Sequence, residues 1–164
     1  QEHDPSRQLE QLLPPHHRNF GKRLVKAPKL YFIDTGLAAS LIGIRGAKDL
    51  EIHPARGALF ETWAVAELLK RRFNAGLPAD LYFWRDSTGL EADAVVERAG
   101  KLHALEIKSG TTVASDWITA LGRIAKLTGA STTLLHGGTA RQARTGVKVF
   151  GWRDVAGAAR HCLG

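Results

Sequence analysis

The sequence predicts an α/β domain built on a mixed central sheet. Two observations carry this expectation. Residues 81–108 hold three strand-like segments joined by turn residues, the pattern of a meander. A helical run then separates the third segment from a further strand-like stretch, and a helical crossover joins parallel neighbours. The order of helix, three-strand meander, crossover helix, strand and strand gives one sheet flanked by helices.

The elements follow in chain order. Residues 1–8 are polar and expected to fray. Residues 16–29 carry five Lys or Arg and no acid, and Asn19 and Gly21 favour a small hairpin there. Asp34-Thr35 precedes an apolar run to Ile44, which reads as an N-capped short helix. Gly46 and Pro54 mark residues 45–56 as a loop. Residues 57–72 are the clearest helix, closing on Lys70-Arg71-Arg72 where cations suit the dipole. Leu81–Arg85, Glu91–Arg98 and Lys101–Lys108 are the meander strands, with Asp86-Ser87-Thr88-Gly89 and Arg98-Ala99-Gly100-Lys101 as turns. Residues 114–128 return to helical spacing, with Trp117, Leu121 and Ile124 among the apolar positions. Thr132–Leu135 and Val147–Trp152 are the last strands, and the end around Cys162 is expected to be loose.

The chemistry concentrates in the meander. Side chains alternate along a strand, so Glu106 and Lys108 point one way and Leu105 and Ile107 the other. The same rule places Glu91, Asp93, Val95 and Glu97 on one face and Ala92, Ala94 and Val96 on the other. A tight turn at Ala99-Gly100 sets Arg98 opposite Lys101, and hence Asp93 opposite Glu106 and Glu91 opposite Lys108. Facing residues have Cβ atoms about 5 Å apart, and like charges there are destabilising. A divalent cation relieves that repulsion, because carboxylate oxygens, waters and a phosphate are how Mg²⁺ is held. The plainer alternative is a set of exposed salt bridges, each worth only ~0–1 kcal/mol. On the preceding helix, Glu61 shares a stripe with Val65 and Leu68. It is either a third acid leaning toward the same site or a glutamate favoured by the helix dipole.

Asp93 followed by Glu106-Ile107-Lys108 resembles the core of the PD-(D/E)xK nuclease superfamily. The wider series is more particular. Lys29-Leu30-Tyr31-Phe32-Ile33-Asp34-Thr35-Gly36-Leu37, Gly57-Ala58-Leu59-Phe60-Glu61, Tyr82-Phe83-Trp84-Arg85-Asp86, Gly89-Leu90-Glu91-Ala92-Asp93 and Glu106-Ile107-Lys108-Ser109 come in a set order. That order resembles the C-terminal domain of unknown function that follows the ATPase and winged-helix modules of prokaryotic AAA-type ATP-binding proteins. The resemblance implies a restriction-endonuclease-like fold over residues 31–164, with residues 1–30 a remnant of a winged-helix wing or a linker. It implies a Mg²⁺ or Mn²⁺ ion on Asp93, Glu106 and the Ile107 carbonyl. Lys108 would orient the attacking water, and Glu61 would lean in from its helix. The function implied is metal-dependent phosphodiester hydrolysis on nucleic acid, DNA above all. The alternative is a non-catalytic DNA-binding or regulatory module of the ATPase that retains the nuclease fold. The helix over 114–128 lacks the Gln-x-x-x-Tyr motif of some nuclease branches, which argues against close kinship with them.

Composition supports this without deciding it. The 164 residues suffice for one core, and the net charge of +7 suits a polyanionic partner. Arg18, Lys22, Arg23, Lys26 and Lys29 are the candidate nucleic-acid contacts. The seven histidines form no ligand pattern, and Cys162 is the single cysteine. Gly137-Gly138 lacks the spacing of a phosphate loop, so no ATPase site is expected in these residues. With no apolar run of membrane-spanning length and no leader-like start, a cytoplasmic location is expected. Absence of methionine and a start at Gln1 suggest part of a longer protein.

Overall fold

The structure, a computed structural model, describes residues 10–16 and 27–163. The hairpin expected at 16–29, with Arg18, Lys22, Arg23 and Lys26, falls largely outside the described residues. The strands on either side of that gap, β1 (Glu10–Leu13) and β2 (Lys29–Phe32), pair antiparallel. Leu13 and Tyr31 bury into the main core and fasten this pair to it.

Helix α1 (Thr35–Leu41) starts at Asp34, whose carboxylate accepts from the Leu37 N–H at 2.9 Å. The loop expected over 45–56 instead contains α2 (Ala47–Ile52). Gly46 and Pro54 bracket that helix rather than interrupt it, and Asp49 accepts from the Arg45 N–H to close its first turn. Helix α3 (Arg56–Asn74) follows.

Then come β3 (Tyr82–Arg85), β4 (Glu91–Arg98), β5 (Lys101–Lys108), α4 (Ser115–Thr128), β6 (Ser131–His136), β7 (Gln142–Arg144), β8 (Val147–Gly151) and α5 (Val155–Leu163). Among the described residues, β3 to β8 form one sheet in the order β3-β4-β5-β6-β8-β7. Its centre, β5-β6-β8, is parallel and both flanks are antiparallel, so the expected mixed α/β sheet flanked by helices is what forms. The crossover through α4 sets Glu106 beside Leu134.

Helices cover both faces. Val65 and Leu68 of α3 and Ala158 of α5 pack on Leu105, Ile107, Leu135 and Phe150. Leu121 and Ile124 of α4 pack on Trp84, Ala104, Leu134 and Val149. The C-terminal end is not loose. Its small and apolar residues dock α5 on the sheet, and Cys162 is buried with its thiol toward Thr133 Oγ1 at 3.4 Å. Burial pushes that thiol up to about 11.

One departure from simple alternation shapes the site. Tyr82 pairs with Val95 but Trp84 pairs with Ala92, so β4 carries one extra residue opposite Phe83. Ala92 therefore packs with the α4 face, while Ala94 and Val96 pack with the α3 face. The expectation that all three share a face fails at this bulge.

Candidate functional site

The turn at Ala99-Gly100 sets the β4–β5 ladder as the sequence implied. Arg98 pairs with Lys101, and the register runs back to Ala94 and Leu105. At the next position the bulge places Asp93 Oδ2 on the Ile107 N–H at 2.8 Å. Asp93 is thus pinned to β5 by its side chain, beside Glu106. Glu106 Oε1 meets Lys108 Nζ at 2.5 Å, an ion pair within one strand.

The remaining members arrive from two other elements. Glu61, one turn into α3 and ahead of buried Val65 and Leu68, accepts from Tyr31 Oη at 2.5 Å and Lys29 Nζ at 3.0 Å. Lys29 Nζ also lies 3.3 Å from Asp93 Oδ1 and pairs with Glu91 Oε1. Lys29 and Tyr31 alternate onto one face of β2, which is why a single strand presents both to Glu61. Glu91 pairs with Lys29 and, at 3.6 Å, with Arg85; the Glu91–Lys108 contact expected from the register is replaced by these.

The charges do not balance evenly. Burial, then Glu106 and Glu61, hold the Asp93 carboxyl well above the usual range, against the pull of Lys29 and the Ile107 N–H. Burial raises Glu106 as well, opposed by Lys108 and reinforced by Glu91 and Glu61. Burial alone would lower Lys29 and Lys108. Asp93 and Glu91 outweigh it at Lys29, and Glu106 outweighs it at Lys108, so both ammonium groups are held charged. Tyr31 is pushed up by burial and by Glu61, so its phenol stays protonated and donating. Glu106 Oε2 is buried and has no hydrogen-bond partner among the described residues.

Glu61, Asp93, Glu106 and Lys108 are therefore brought together. Ile107 joins them through its N–H. Lys29, grouped by sequence with the basic run, sits inside the cluster. Tyr31 was missed; the strand alternation Lys29-Leu30-Tyr31 was the signal that pairs it with Lys29.

A divalent ion fits this donor set in kind. The donors are hard oxygens, and the orphaned Glu106 Oε2 beside Asp93 is an unmet acceptor. Among the described residues no three His, Cys, Asp or Glu side chains converge on one point. Mg²⁺ needs only one or two carboxylates when waters and a phosphate complete its shell.

Comparison with known proteins places this geometry in a family. Residues 56–155, which span α3 to β8 and hold Glu61, Glu91, Asp93, Glu106 and Lys108, match a domain of unknown function, DUF4143. The chain belongs to the DUF4143 family. Residues 7–48 match a second domain of unknown function, DUF8612, which runs across β1, β2 and α1 and so includes Lys29 and Tyr31. The DUF4143 chain is 38% identical over 102 residues to the uncharacterized protein Mb2031c of Mycobacterium bovis and, equally, to Rv2008c of Mycobacterium tuberculosis. The alignments cover 61% of this chain and 22% of each relative, so it spans about a fifth of their length. No solved structure matches. No helix among the described residues is long and apolar enough to cross a membrane.

Proposed function

We propose that this DUF4143 domain is a restriction-endonuclease-like, PD-(D/E)xK-type module that hydrolyses phosphodiesters in nucleic acid, DNA above all. The observation that carries the reading is the Asp93–Glu106 pair, two carboxyls raised first by burial and then by neighbouring acids, with an orphaned oxygen and Lys108 at hand. Asp93 and Glu106 would hold Mg²⁺ or Mn²⁺, which supplies a hydroxide at neutral pH and offsets charge at phosphorus. The protein's own groups prepare that event. The Ile107 N–H fixes the Asp93 carboxylate, and Tyr31 fixes Glu61. Lys108 stays protonated next to Glu106 and can hold a water or meet negative charge growing on a phosphate oxygen. The resemblance supports a place in a larger protein that carries an ATPase module.

A second reading, a non-catalytic nucleic-acid-binding or regulatory module, draws on Lys29. Its ammonium already touches Glu61, Glu91 and Asp93, the charges a metal would neutralise. Incubating labelled single-stranded, duplex and branched DNA and RNA with Mg²⁺ or Mn²⁺ separates the two. Cleavage abolished by Asp93→Asn and by Lys108→Ala supports hydrolysis. Metal binding without cleavage of any substrate gives the second reading.

A further inference from the structure

The three parallel strands end side by side, and the next residue of each, Ser109, Gly137 and Trp152, lines one pocket of about 460 Å³. The carboxyl ends of parallel strands are where open α/β sheets take their ligands. The volume falls within the usual range for ligand pockets. The floor is fixed by close backbone packing. A Cβ on Gly137 would meet the Ser109 carbonyl oxygen at 2.2 Å, and the Gly137 N–H bonds Lys108 O at 2.9 Å. Gly137 therefore has a packing role that its failed match to a phosphate loop left open.

One wall is aromatic, and Ala39, Leu50 and Leu59 contribute aliphatic surface to the rest. Phe60 and Trp63 of α3 have ring centroids 5.4 Å apart, and Trp63 meets Trp152 edge to face at 6.2 Å. Trp152 is 38% exposed, unusual for a tryptophan already held on one side. One cation lines the pocket, and a second lies over the Trp152 ring. Arg56 lines the pocket and donates to the Ser109 carbonyl at 3.2 Å, and Arg153 lies 5.2 Å over the Trp152 ring. The pocket neighbours the carboxylate site along the chain, since Phe60 precedes Glu61 and Ser109 follows Lys108.

We propose that this pocket receives an unpaired nucleobase of a nucleic-acid strand whose adjacent phosphate lies at the carboxylate cluster, with Arg56 and Arg153 meeting flanking phosphates. The inference rests on the hydrolytic reading for the position of the phosphate. Aromatic faces hold bases by stacking without regard to sequence, and arginines beside them hold the backbone. A purely apolar side chain from a partner protein would make no use of the two arginines.

The test is binding of a labelled single-stranded oligonucleotide to the full chain, without divalent ions. Trp152→Leu keeps apolar bulk and removes the stacking face. It should weaken single-strand binding on the order of five- to a hundred-fold. Trp152→Phe should restore most of the affinity, which separates stacking from a folding defect. Duplex of the same sequence should bind both variants alike, and an oligonucleotide of abasic residues should bind the unaltered chain as weakly as the intact strand binds Trp152→Leu. Absence of binding, equal binding of abasic and intact strands, or equal losses on single strand and duplex would overturn the proposal. Because no metal is present, failure here leaves the Asp93–Glu106 reading standing, and failure of that reading leaves this result unaffected.

Discussion

Asp86 and Asp93 leave the same meander seven residues apart, and both are almost fully buried, at 1% and 4% exposure. Their surroundings are opposite. Asp86 Oδ1 accepts from Thr88 N at 2.8 Å, Thr88 Oγ1 at 2.7 Å and Leu90 N at 3.1 Å, all within its own turn. Asp93 takes one backbone donor from β5 and an ammonium from β2, and faces Glu106 and Glu61. A buried carboxylate served by its own turn is a structural device. One assembled from four separate elements, with like charges left facing, is held by the fold against its own electrostatics, and the proposed function rests on that difference.

The comparison breaks hardest at Lys29. Removing one partner from a buried charge cluster is strongly destabilising, and Lys29 is a quarter exposed. Lys29→Met should therefore lower stability by about 3 kcal/mol at neutral pH. Chemical denaturation measures this, and Mn²⁺ should recover part of the loss. A neutral substitution would mean that Lys29 is not the counter-ion of Glu61, Glu91 and Asp93.

Asp86→Ala comes next. It orphans two backbone donors in a tight turn, for a loss of about 2 kcal/mol that no metal recovers. An Mn²⁺ response in this variant as reduced as in an Asp93 variant would erase the distinction between the two aspartates.

Asp93→Asn should have the smallest effect and the opposite sign. Asn keeps an acceptor for the Ile107 N–H and removes the repulsion, so the metal-free protein should gain up to about 1 kcal/mol, the size of one net hydrogen bond. The gain depends on pH. Asp93 binds its proton more tightly folded than unfolded, so its charged form weakens the fold above its raised pKa and the penalty fades as pH falls. The advantage of Asp93→Asn should thus shrink from neutral pH toward the ordinary value near 3.8. A constant difference across that window would show that repulsion is not its source.

Much of this was legible in the chain. The limits of β4 and β5 and the pairing of Arg98 with Lys101 follow from alternation and one turn, which are local properties. The bulge at Asp93 was not legible, because it arises from how β3 pairs across β4. The role of Lys29 was hidden for a similar reason. A cation within a basic run reads as a surface charge, and only the docking of β2 on α3 brings it to Glu61. Helix α2 was hidden by Gly46 and Pro54, which mark its ends as readily as they mark a loop. Helix α5 escaped because its Ala and Gly residues become a packing face only when Phe150 and Leu135 lie beneath them.

The most direct test of the Asp93–Glu106 pair as a cation site is thermal unfolding of the unaltered chain and of Asp93→Asn, each with and without Mn²⁺. Binding at a hundred times the dissociation constant adds about 2.7 kcal/mol. For a domain of this size that raises the midpoint by roughly 5–10 °C. The account predicts that shift in the unaltered chain and its loss in Asp93→Asn. A midpoint indifferent to Mn²⁺ in the unaltered chain, together with a destabilised Asp93→Asn, would contradict it and leave Asp93 as structural as Asp86.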